Sequence, residues 1–351
     1  MATSFRPSAL TFAPHFEDRV WGGRELERYG RELPAGRTIG ESWEVSAIAG
    51  RSSVVTAGPY RGQDLETLLC EHRDEIVGPF DPAAGAFPLL VKLLDAAEPL
   101  SVQLHPRDDE ARRLEGPGDG KLGKTEAWIV LDAAPGAEVI HGLAPGVSSE
   151  SLYARVDAAG GAALGAEAEQ ALLRRVVVRR GDIVFVPAGT IHALGAGVVL
   201  AEVQQHSDIT YRIYDWGRRA ASGESRELHV EKARRVRDAA PVDCPLLNLA
   251  DIRARAELTP VLDCAQFHFD LLALAGSETR AFSTKAPGVA PGFHLWMSWE
   301  GEIECRGPSG ARTALAPVEF VLLPAALGAY EMAARGPASA ILVRAGARQA
   351  R

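Results

Sequence analysis

The fold is decided by one stretch of the chain, RGDIVFVPAGTIHAL at residues 180–194. A Gly-Asp turn enters an apolar strand, and the strand stops at Pro187-Ala188-Gly189. The tight turn then delivers His192 to the mouth of a β structure. A lone histidine is more often a packed or a surface residue, but a histidine in this setting is favoured as a metal ligand.

The rest of the chain also favours many short strands. Segments rich in Val, Ile and Leu recur between Gly and Pro, at Ser52–Ala57, Leu89–Leu94, Leu100–Leu104, Ala127–Leu131, Val139–His141 and Val198–Val203. Because they do not alternate regularly with helices, a sandwich or barrel is favoured over a doubly wound parallel sheet. Helices are predicted at Asp108–Leu114, Ser148–Val156 and Ala166–Val178. The last two form a predicted helical insertion at about residues 145–180.

Strand-like segments resume near Leu258, after a predicted linker at Arg234–Asp243. They include Phe267–Ala273, His294–Trp299 and Val318–Pro324. The sequence therefore predicts an N-terminal catalytic domain at 1–240 and a smaller C-terminal β domain at 258–351.

Two further motifs place polar side chains together on strand faces. In SVQLH, residues 101–105, the two-residue period puts Ser101, Gln103 and His105 on one face. In KTE, residues 124–126, the same period joins Lys124 to Glu126. Taken alone, the first motif is better explained as a solvent-exposed strand face and the second as a surface ion pair.

Taken together, the three motifs predict a metal site. His105, Glu126 and His192, with Gln103 as a candidate fourth ligand, form a set of imidazole and carboxylate donors. Such a set suits Zn, Mn, Fe or Ni and leaves positions open for water or substrate. A metal with an open position polarises a carbonyl group and stabilises an oxyanion.

Two ionisable residues downstream complete the candidate site. Glu202 has apolar neighbours that can raise its pKa, which makes it a candidate base. Arg212 lies in the aromatic segment YRIYDW, residues 211–216, and can hold an oxyanion or phosphate bidentately. A structural ion pair between Arg212 and Asp215 is equally consistent with the sequence.

Composition limits the classes of function. The 351 residues are 46% apolar and 24% charged, which is ordinary for a globular protein, and the net charge is -8. This charge argues against a nucleic-acid partner, which would require a basic surface. Four scattered cysteines without CxxC pairs suggest a reducing compartment. With no signal peptide or membrane-spanning run expected, we predict a cytoplasmic protein without a membrane partner.

The chain resembles the type I mannose-6-phosphate isomerases, particularly the short bacterial form. The motifs that carry the resemblance follow one another in the family's order, up to about Trp216. They are Trp21-Gly22-Gly23, Ile39–Ser46, Lys92, Ser101–Pro106, Gly123–Glu126, Pro187–Ala193, Glu202 and Arg212. The Pro-x-Gly-x-x-His motif that ends in His192 is also typical of cupins.

The resemblance implies a mainly β protein with two cupin-type (jelly-roll) domains, a small helical insertion and one Zn²⁺ per chain. The implied activity interconverts mannose 6-phosphate and fructose 6-phosphate through a cis-enediol. The zinc ligands would be Gln103, His105, Glu126 and His192, of which Gln103 is the least secure. Lys124, Glu202 and Arg212 would act in the reaction pocket, and Lys92 and Ser101 would line its phosphate end. The partner would be a small-molecule sugar phosphate, and the protein a monomer or homodimer.

Several alternatives stay open at this point. The base could be Glu202, His105 or a metal-bound water, and some members of the family accept free aldoses. Cupins also include metal oxygenases and sugar-binding regulators, so the fold alone does not fix the function. An oxygenase pocket should be apolar around the metal, whereas the strands here carry Ser101, Gln103, Lys124, Glu202 and Arg212. That lining favours the isomerase.

Overall fold

The computed structural model describes residues 4–79, 87–118, 120–219, 223–238, 246–252, 257–286 and 292–346. The strands in chain order are β1 (Phe12–Ala13), β2 (His15–Gly23), β3 (Ile39–Val45), β4 (Val54–Val55), β5 (Leu89–Ala96), β6 (Val102–Leu104), β7 (Glu126–Ala133), β8 (Glu138–Leu143), β9 (Leu173–Val177), β10 (Asp182–Val186), β11 (His192–Leu194), β12 (Val198–Gln205), β13 (Tyr211–Tyr214), β14 (Leu247–Asn248), β15 (Thr259–Asp263), β16 (Phe267–Leu274), β17 (Thr279–Ser283), β18 (His294–Glu300), β19 (Ile303–Arg306), β20 (Arg312–Leu315), β21 (Phe320–Leu323), β22 (Ala329–Ala334) and β23 (Ala338–Ala345). The helices are α1 (Leu65–Val77), α2 (Asp108–Glu115), α3 (Ser149–Ala159), α4 (Ala166–Leu172) and α5 (Val230–Ala233).

The chain forms two compact units that are not continuous in sequence. The first comprises Phe16–Ser42 and Val91–Leu249, and the second comprises Met1–His15, Trp43–Leu90 and Ala250–Arg351. The predicted domains, 1–240 and 258–351, are continuous segments. Their boundaries stay a prediction, because a compact unit does not by itself establish which segments fold independently.

The first unit is built on two sheets. One has seven strands in the order β14-β10-β7-β12-β5-β3-β2, and the other has five in the order β13-β6-β11-β8-β9. Apolar side chains from both sheets pack together, among them Trp128 and Leu200 from the first sheet and Val139 and Leu194 from the second. The residues of β5 and β12 are all buried, and most of them are apolar, as is expected of strands that are covered on both faces.

The second unit repeats this architecture. Its five-stranded sheet has the order β15-β16-β23-β18-β21, and its four-stranded sheet has the order β17-β22-β19-β20. Trp296 and Leu342 from the larger sheet pack with Ile303, Tyr330 and Met332 from the smaller one. The prediction of a mainly β protein with two cupin-type β units is confirmed.

The helical insertion is shorter than the sequence predicts. Helices α3 and α4 occupy Ser149–Ala159 and Ala166–Leu172, but the predicted continuation of the second helix to Val178 is wrong. Leu173–Val177 is a strand that pairs with β8. Its valines favour strand over helix because they are branched at Cβ, and a partner strand is available.

Pairing within the five-stranded sheet sets the position of the polar motifs. Strand β6 lies between β11 and β13, and Gln103 of β6 pairs with His192 on one side and with Arg212 on the other. Residues that are about 90 to 110 positions apart in the chain therefore meet on one sheet. No helix among the described residues is long and apolar enough to cross a membrane.

Candidate functional site

Two histidines approach the centre from neighbouring strands of the five-stranded sheet. His105 directly follows β6, His192 begins β11, and both side chains are buried. Nδ1 of His105 lies 2.8 Å from the carbonyl oxygen of Ile209, and Nδ1 of His192 lies 2.9 Å from that of Thr190. A carbonyl oxygen only accepts hydrogen bonds, so each Nδ1 carries the proton and each Nε2 keeps its lone pair for a metal.

Glu126, the first residue of β7, completes a cluster of three. Its Oε2 lies 3.4 Å from Nε2 of His105, and its Oε1 lies 3.4 Å from Nε2 of His192. The ligand atoms of the three buried residues all lie within 4.8 Å of one another. Oε2 of Glu126 is buried and accepts no well-oriented hydrogen bond within the described part of the chain. A buried carboxylate oxygen in this state, beside two imidazole lone pairs, fits a divalent cation with nitrogen and oxygen ligands.

The protonation states of the three residues suit metal binding. Burial, together with the positive charge of Lys124, holds the pKa of His105 well below its usual value. Burial also lowers the pKa of His192, although the carboxylate of Glu126 opposes this effect. Burial alone would raise the pKa of Glu126, but the positive charge of Lys124, which donates to this carboxylate, helps to lower that pKa below its usual value. The centre therefore offers two neutral imidazoles and one carboxylate, which are the forms that bind metals.

Gln103 and Ser101 lie beside this cluster. Nε2 of Gln103 is 3.4 Å from Nε2 of His192, and Oε1 of Gln103 is 3.4 Å from Oγ of Ser101. The fold thus brings the predicted fourth ligand to the centre. Its role as a ligand stays a prediction.

Lys124 and Glu202 lie next to the cluster, and both are buried. Nζ of Lys124 is 3.0 Å from Oε2 of Glu126, 3.2 Å from Nε2 of His105 and 3.9 Å from Oε1 of Glu202. Burial would lower the pKa of Lys124, but the neighbouring carboxylates outweigh it and raise that pKa. Burial and the charge of Glu126 raise the pKa of Glu202. The pair that was explained as a surface ion pair from sequence alone is a buried one.

Trp128 joins the two carboxylates, and sequence reasoning gave it no role. Its Nε1 lies 3.1 Å from Oε1 of Glu126 and 3.3 Å from Oε1 of Glu202. Trp128 follows Glu126 by two positions on β7, so the period that joins Lys124 to Glu126 also places this indole on the same face. This two-residue period was the signal from which the position of Trp128 could have been predicted.

We expect Trp128→Phe to lower metal affinity by roughly 10–100-fold, because the ring is kept but the donor to Glu126 is lost. The measurement is competition for the metal against a chromophoric chelator. Trp299→Phe, a change at a tryptophan of the second unit that is also buried, serves as the control. Unchanged affinity in Trp128→Phe would contradict a supporting role for the indole.

Lys92 is brought to the same region from β5. Its Nζ lies 3.2 Å from Oε2 of Glu41 on β3 and 3.8 Å from Oε2 of Glu202 on β12. The lysine is buried, so it lies inside the site and not on the surface. Glu41 lies on the fully buried strand IGESWEV, where a charged side chain needs a polar partner.

The sequence left two interpretations of Arg212, an anion-binding residue and an ion pair with Asp215, and the structure distinguishes them. Asp215 accepts hydrogen bonds from both Nε and Nη2 of Arg226, so it is not the partner of Arg212. Nη1 of Arg212 donates to the carbonyl oxygen of Glu227 at 2.8 Å, and its buried Nε has no partner among the described residues. The interpretation of Arg212 as the ion-pair partner of Asp215 is therefore wrong. Because no carboxylate in the described part of the chain forms an ion pair with this guanidinium, it can bind an anion.

The fold and the cluster first define a class, that of metal-dependent cupin-type β proteins. Residues 10–121 match the family model of the catalytic domain of type I phosphomannose isomerase. Mannose-6-phosphate isomerase ManA of Bacillus subtilis is 38% identical over 272 residues, which cover 77% of this chain and 81% of the relative. Mannose-6-phosphate isomerase of Streptococcus mutans is 43% identical over 216 residues, covering 61% and 63%.

A solved structure agrees with these relatives. The crystal structure of the mannose 6-phosphate isomerase from Bacillus subtilis superposes with a TM-score of 0.75 at 29% identity. The superposition covers 96% of this chain and 99% of that one. The chain belongs to the type I phosphomannose isomerase family.

Proposed function

We propose that the protein interconverts mannose 6-phosphate and fructose 6-phosphate. The observation that carries this proposal is the buried trio of His105, Glu126 and His192 with Lys124 and Glu202 packed against it. The relatives named as mannose-6-phosphate isomerases support the choice of substrate. The same polar surroundings argue against an oxygenase, whose metal would lie among apolar side chains. They also argue against a protein that only binds sugars, because such a protein would not need a buried base.

The metal that we propose is one Zn²⁺ per chain, held by His105, Glu126 and His192, with Gln103 as fourth ligand. Nitrogen and oxygen donors with the rings fixed through Nδ1 suit zinc, although Mn, Fe and Ni accept the same donors. When bound, the metal supplies a Lewis acid that polarises the substrate carbonyl and stabilises negative charge on its oxygen.

Glu202 is proposed as the residue that moves the proton between C1 and C2 through a cis-enediol. Its raised pKa brings the carboxyl group nearer to neutrality, where a residue can both take and return a proton. His105 is the less suitable base, because Nδ1 is held by a carbonyl and Nε2 faces Glu126.

Lys124 and Arg212 are proposed to stabilise the charge that develops on the enediolate oxygens. The ion pair with Glu126 holds the ammonium group of Lys124 in place before the reaction, so its position needs no reorganisation. Lys92 and Ser101 are proposed to line the phosphate end. We also propose a cytoplasmic protein that acts as a monomer or homodimer without nucleic acid, in keeping with the net charge of -8.

Arg212→Met is expected to lower kcat by roughly 10²-fold, the effect of removing one donor to a developing oxyanion. The fold should be kept, because no carboxylate among the described residues lies within salt-bridge distance of this guanidinium and only the bond to Glu227 is lost. Steady-state kinetics and thermal unfolding measure the two effects. The control is Arg219→Met, a change at an exposed arginine whose Nη1 donates to the carbonyl oxygen of Gly223. A variant with wild-type kcat would contradict the role.

The direct test of the proposed reaction is conversion of mannose 6-phosphate, followed by coupling fructose 6-phosphate to a dehydrogenase assay. We expect turnover in both directions. Metal-loaded protein that forms no ketose phosphate from mannose 6-phosphate would refute the proposal.

A further inference from the structure

The segment that carries Lys124 into the candidate site belongs to no helix or strand. Residues 121–125 lead directly into β7, whose first residue is Glu126. Nζ of Lys124 lies 3.0 Å from Oε2 of Glu126 and 3.2 Å from Nε2 of His105. Because this segment lacks a regular ladder of hydrogen bonds of its own, other contacts must set the position of the ammonium group.

Asp108, the first residue of α2, holds this segment through one carboxylate oxygen. Its Oδ1 accepts from the backbone nitrogen of Gly123 at 2.8 Å and from Nε2 of Gln205 at 3.2 Å. A Cβ on Gly123 would lie 2.5 Å from the backbone nitrogen of Asp108. Only glycine therefore lets the segment come this close to the helix, and the buried Gly123 is the residue directly before Lys124.

Gln205, the last residue of β12, holds the same segment from the seven-stranded sheet. Its Oε1 accepts from the backbone nitrogen of Thr125 at 2.9 Å, while its Nε2 donates to Asp108. Its own backbone nitrogen donates to the carbonyl oxygen of Thr125 at 3.1 Å. The side chain is buried and both ends of its amide are bonded, so the amide has a single orientation. We call Asp108 and Gln205 the clamp.

The clamped segment is also tied to both histidine-bearing stretches of the chain. The backbone nitrogen of Lys124 donates at 3.1 Å to the carbonyl oxygen of Pro106, the residue after the first histidine. Oγ1 of Thr125 accepts at 3.3 Å from the backbone nitrogen of Ala188, in the turn before the second histidine. A shift of the segment would therefore change the distances between its functional side chains and the two imidazoles.

We propose that Asp108 and Gln205 are positioning residues, which hold Lys124 and Glu126 in place at the candidate metal centre. This proposal rests on the proposed function, because it uses the roles assigned there to Lys124 and Glu126. The clamp acts through the backbone of residues 123 and 125 and not through contact with the substrate. Residues that support a metal ligand in this way contribute roughly 10–100-fold in metal affinity or activity.

The first test compares Asp108→Ala with Asp108→Asn in the full-length protein. Asparagine keeps an oxygen that can accept from Gly123 and Gln205, whereas alanine does not. We expect Asp108→Ala to weaken Zn²⁺ binding by roughly 10–100-fold in competition with a chromophoric chelator, and Asp108→Asn to stay within about threefold of the wild type. With zinc in excess, kcat of Asp108→Ala should fall by roughly 10–100-fold with KM within about threefold, because Lys124 is proposed to act on the transition state.

Asp109→Ala is the matched control, because it removes the next carboxylate from the same first turn of α2. Asp109 is exposed and paired with Arg237. Its removal should leave zinc affinity and kcat unchanged, and both alanine variants lose the same favourable interaction with the helix dipole. Wild-type zinc affinity and kcat in Asp108→Ala would overturn the proposal. Equal losses in Asp108→Ala and in either Asp109→Ala or Asp108→Asn would overturn it as well.

Gln205→Met tests the other half of the clamp with a side chain of similar length. It removes the acceptor for Thr125 and the donor to Asp108, so we expect losses in the same direction as in Asp108→Ala. The double variant should lose less than the product of the two single losses, because both changes break one clamp, and independent losses would contradict it.

The zinc competition does not depend on turnover. If Asp108→Ala does not fold, Gln205→Met decides the proposal, and wild-type zinc affinity and kcat in that variant would overturn it. If the wild type binds zinc but does not convert mannose 6-phosphate, the proposed function fails, and the zinc competition still decides the role of the clamp.

Discussion

Glu126→Gln is expected to release the metal and to lower kcat/KM for mannose 6-phosphate by at least about 10³-fold, equivalent to about 4 kcal/mol. The amide carries no negative charge, so it cannot balance a divalent cation held by two neutral imidazoles. The change also removes the partner that lies 3.0 Å from Nζ of Lys124, and a buried ammonium would be left without its nearest counter-charge. Elemental analysis of the purified variant and the coupled assay measure the two losses.

The matched control is Glu138→Gln on β8, where the same chemical change is made at a half-exposed glutamate paired with Arg175. This variant should keep one metal per chain and wild-type kinetics, because exposed ion pairs contribute little. A Glu126→Gln protein that retains both metal and activity would show that the three-residue cluster is not the metal centre.

Glu202→Gln is expected to keep the metal and to lower kcat by roughly 10²–10⁴-fold, the usual contribution of a general acid–base residue. Glutamine preserves the size of the side chain and an oxygen that can accept from Nε1 of Trp128, which lies 3.3 Å away in the native protein. It removes the group whose raised pKa suits it to shuttle a proton. The measurement is deuterium incorporation from solvent into the sugar phosphate, together with metal content.

The control is Glu304→Gln, the same chemical change at a strand residue of the second unit. Gln204→Glu is less suitable, because Gln204 is buried and its Nε2 donates to the carbonyl oxygen of Ser207. Glu304→Gln should leave the exchange rate unchanged. Wild-type deuterium exchange in Glu202→Gln would assign the proton transfer to another group, with His105 the next to be tested.

The candidate metal centre could be predicted because each ligand lies in a local motif with a recognisable period. The alternation of strand residues predicts that Ser101, Gln103 and His105 share a face, and the turn at residues 187–189 predicts the entry of His192. The three motifs together predicted a metal site that includes Glu126, and the family resemblance implied the same ligands. The structure brings the three ligand residues within 4.8 Å of one another.

Features that depend on contacts between distant strands could not be predicted in the same way. The bond between Asp215 and Arg226 joins residues eleven positions apart, so the sequence could not show that Asp215 pairs with Arg226 and not with Arg212, three positions before it. The ion pairs of Lys92 with Glu202 and Glu41 need the strand order β12-β5-β3, which no local pattern reveals. At Leu173–Val177, pairing with β8 decided for strand where helical spacing indicated helix.

The central claim is that this buried trio holds one zinc ion on which the isomerisation depends. Its most direct test is a titration of the chelated protein with Zn²⁺, in which mannose 6-phosphate turnover is measured at each addition. We predict that activity is lost on chelation and rises in proportion to added zinc until one equivalent per chain is bound. Turnover that survives complete removal of the metal, or one bound equivalent of zinc without any turnover, would contradict the claim.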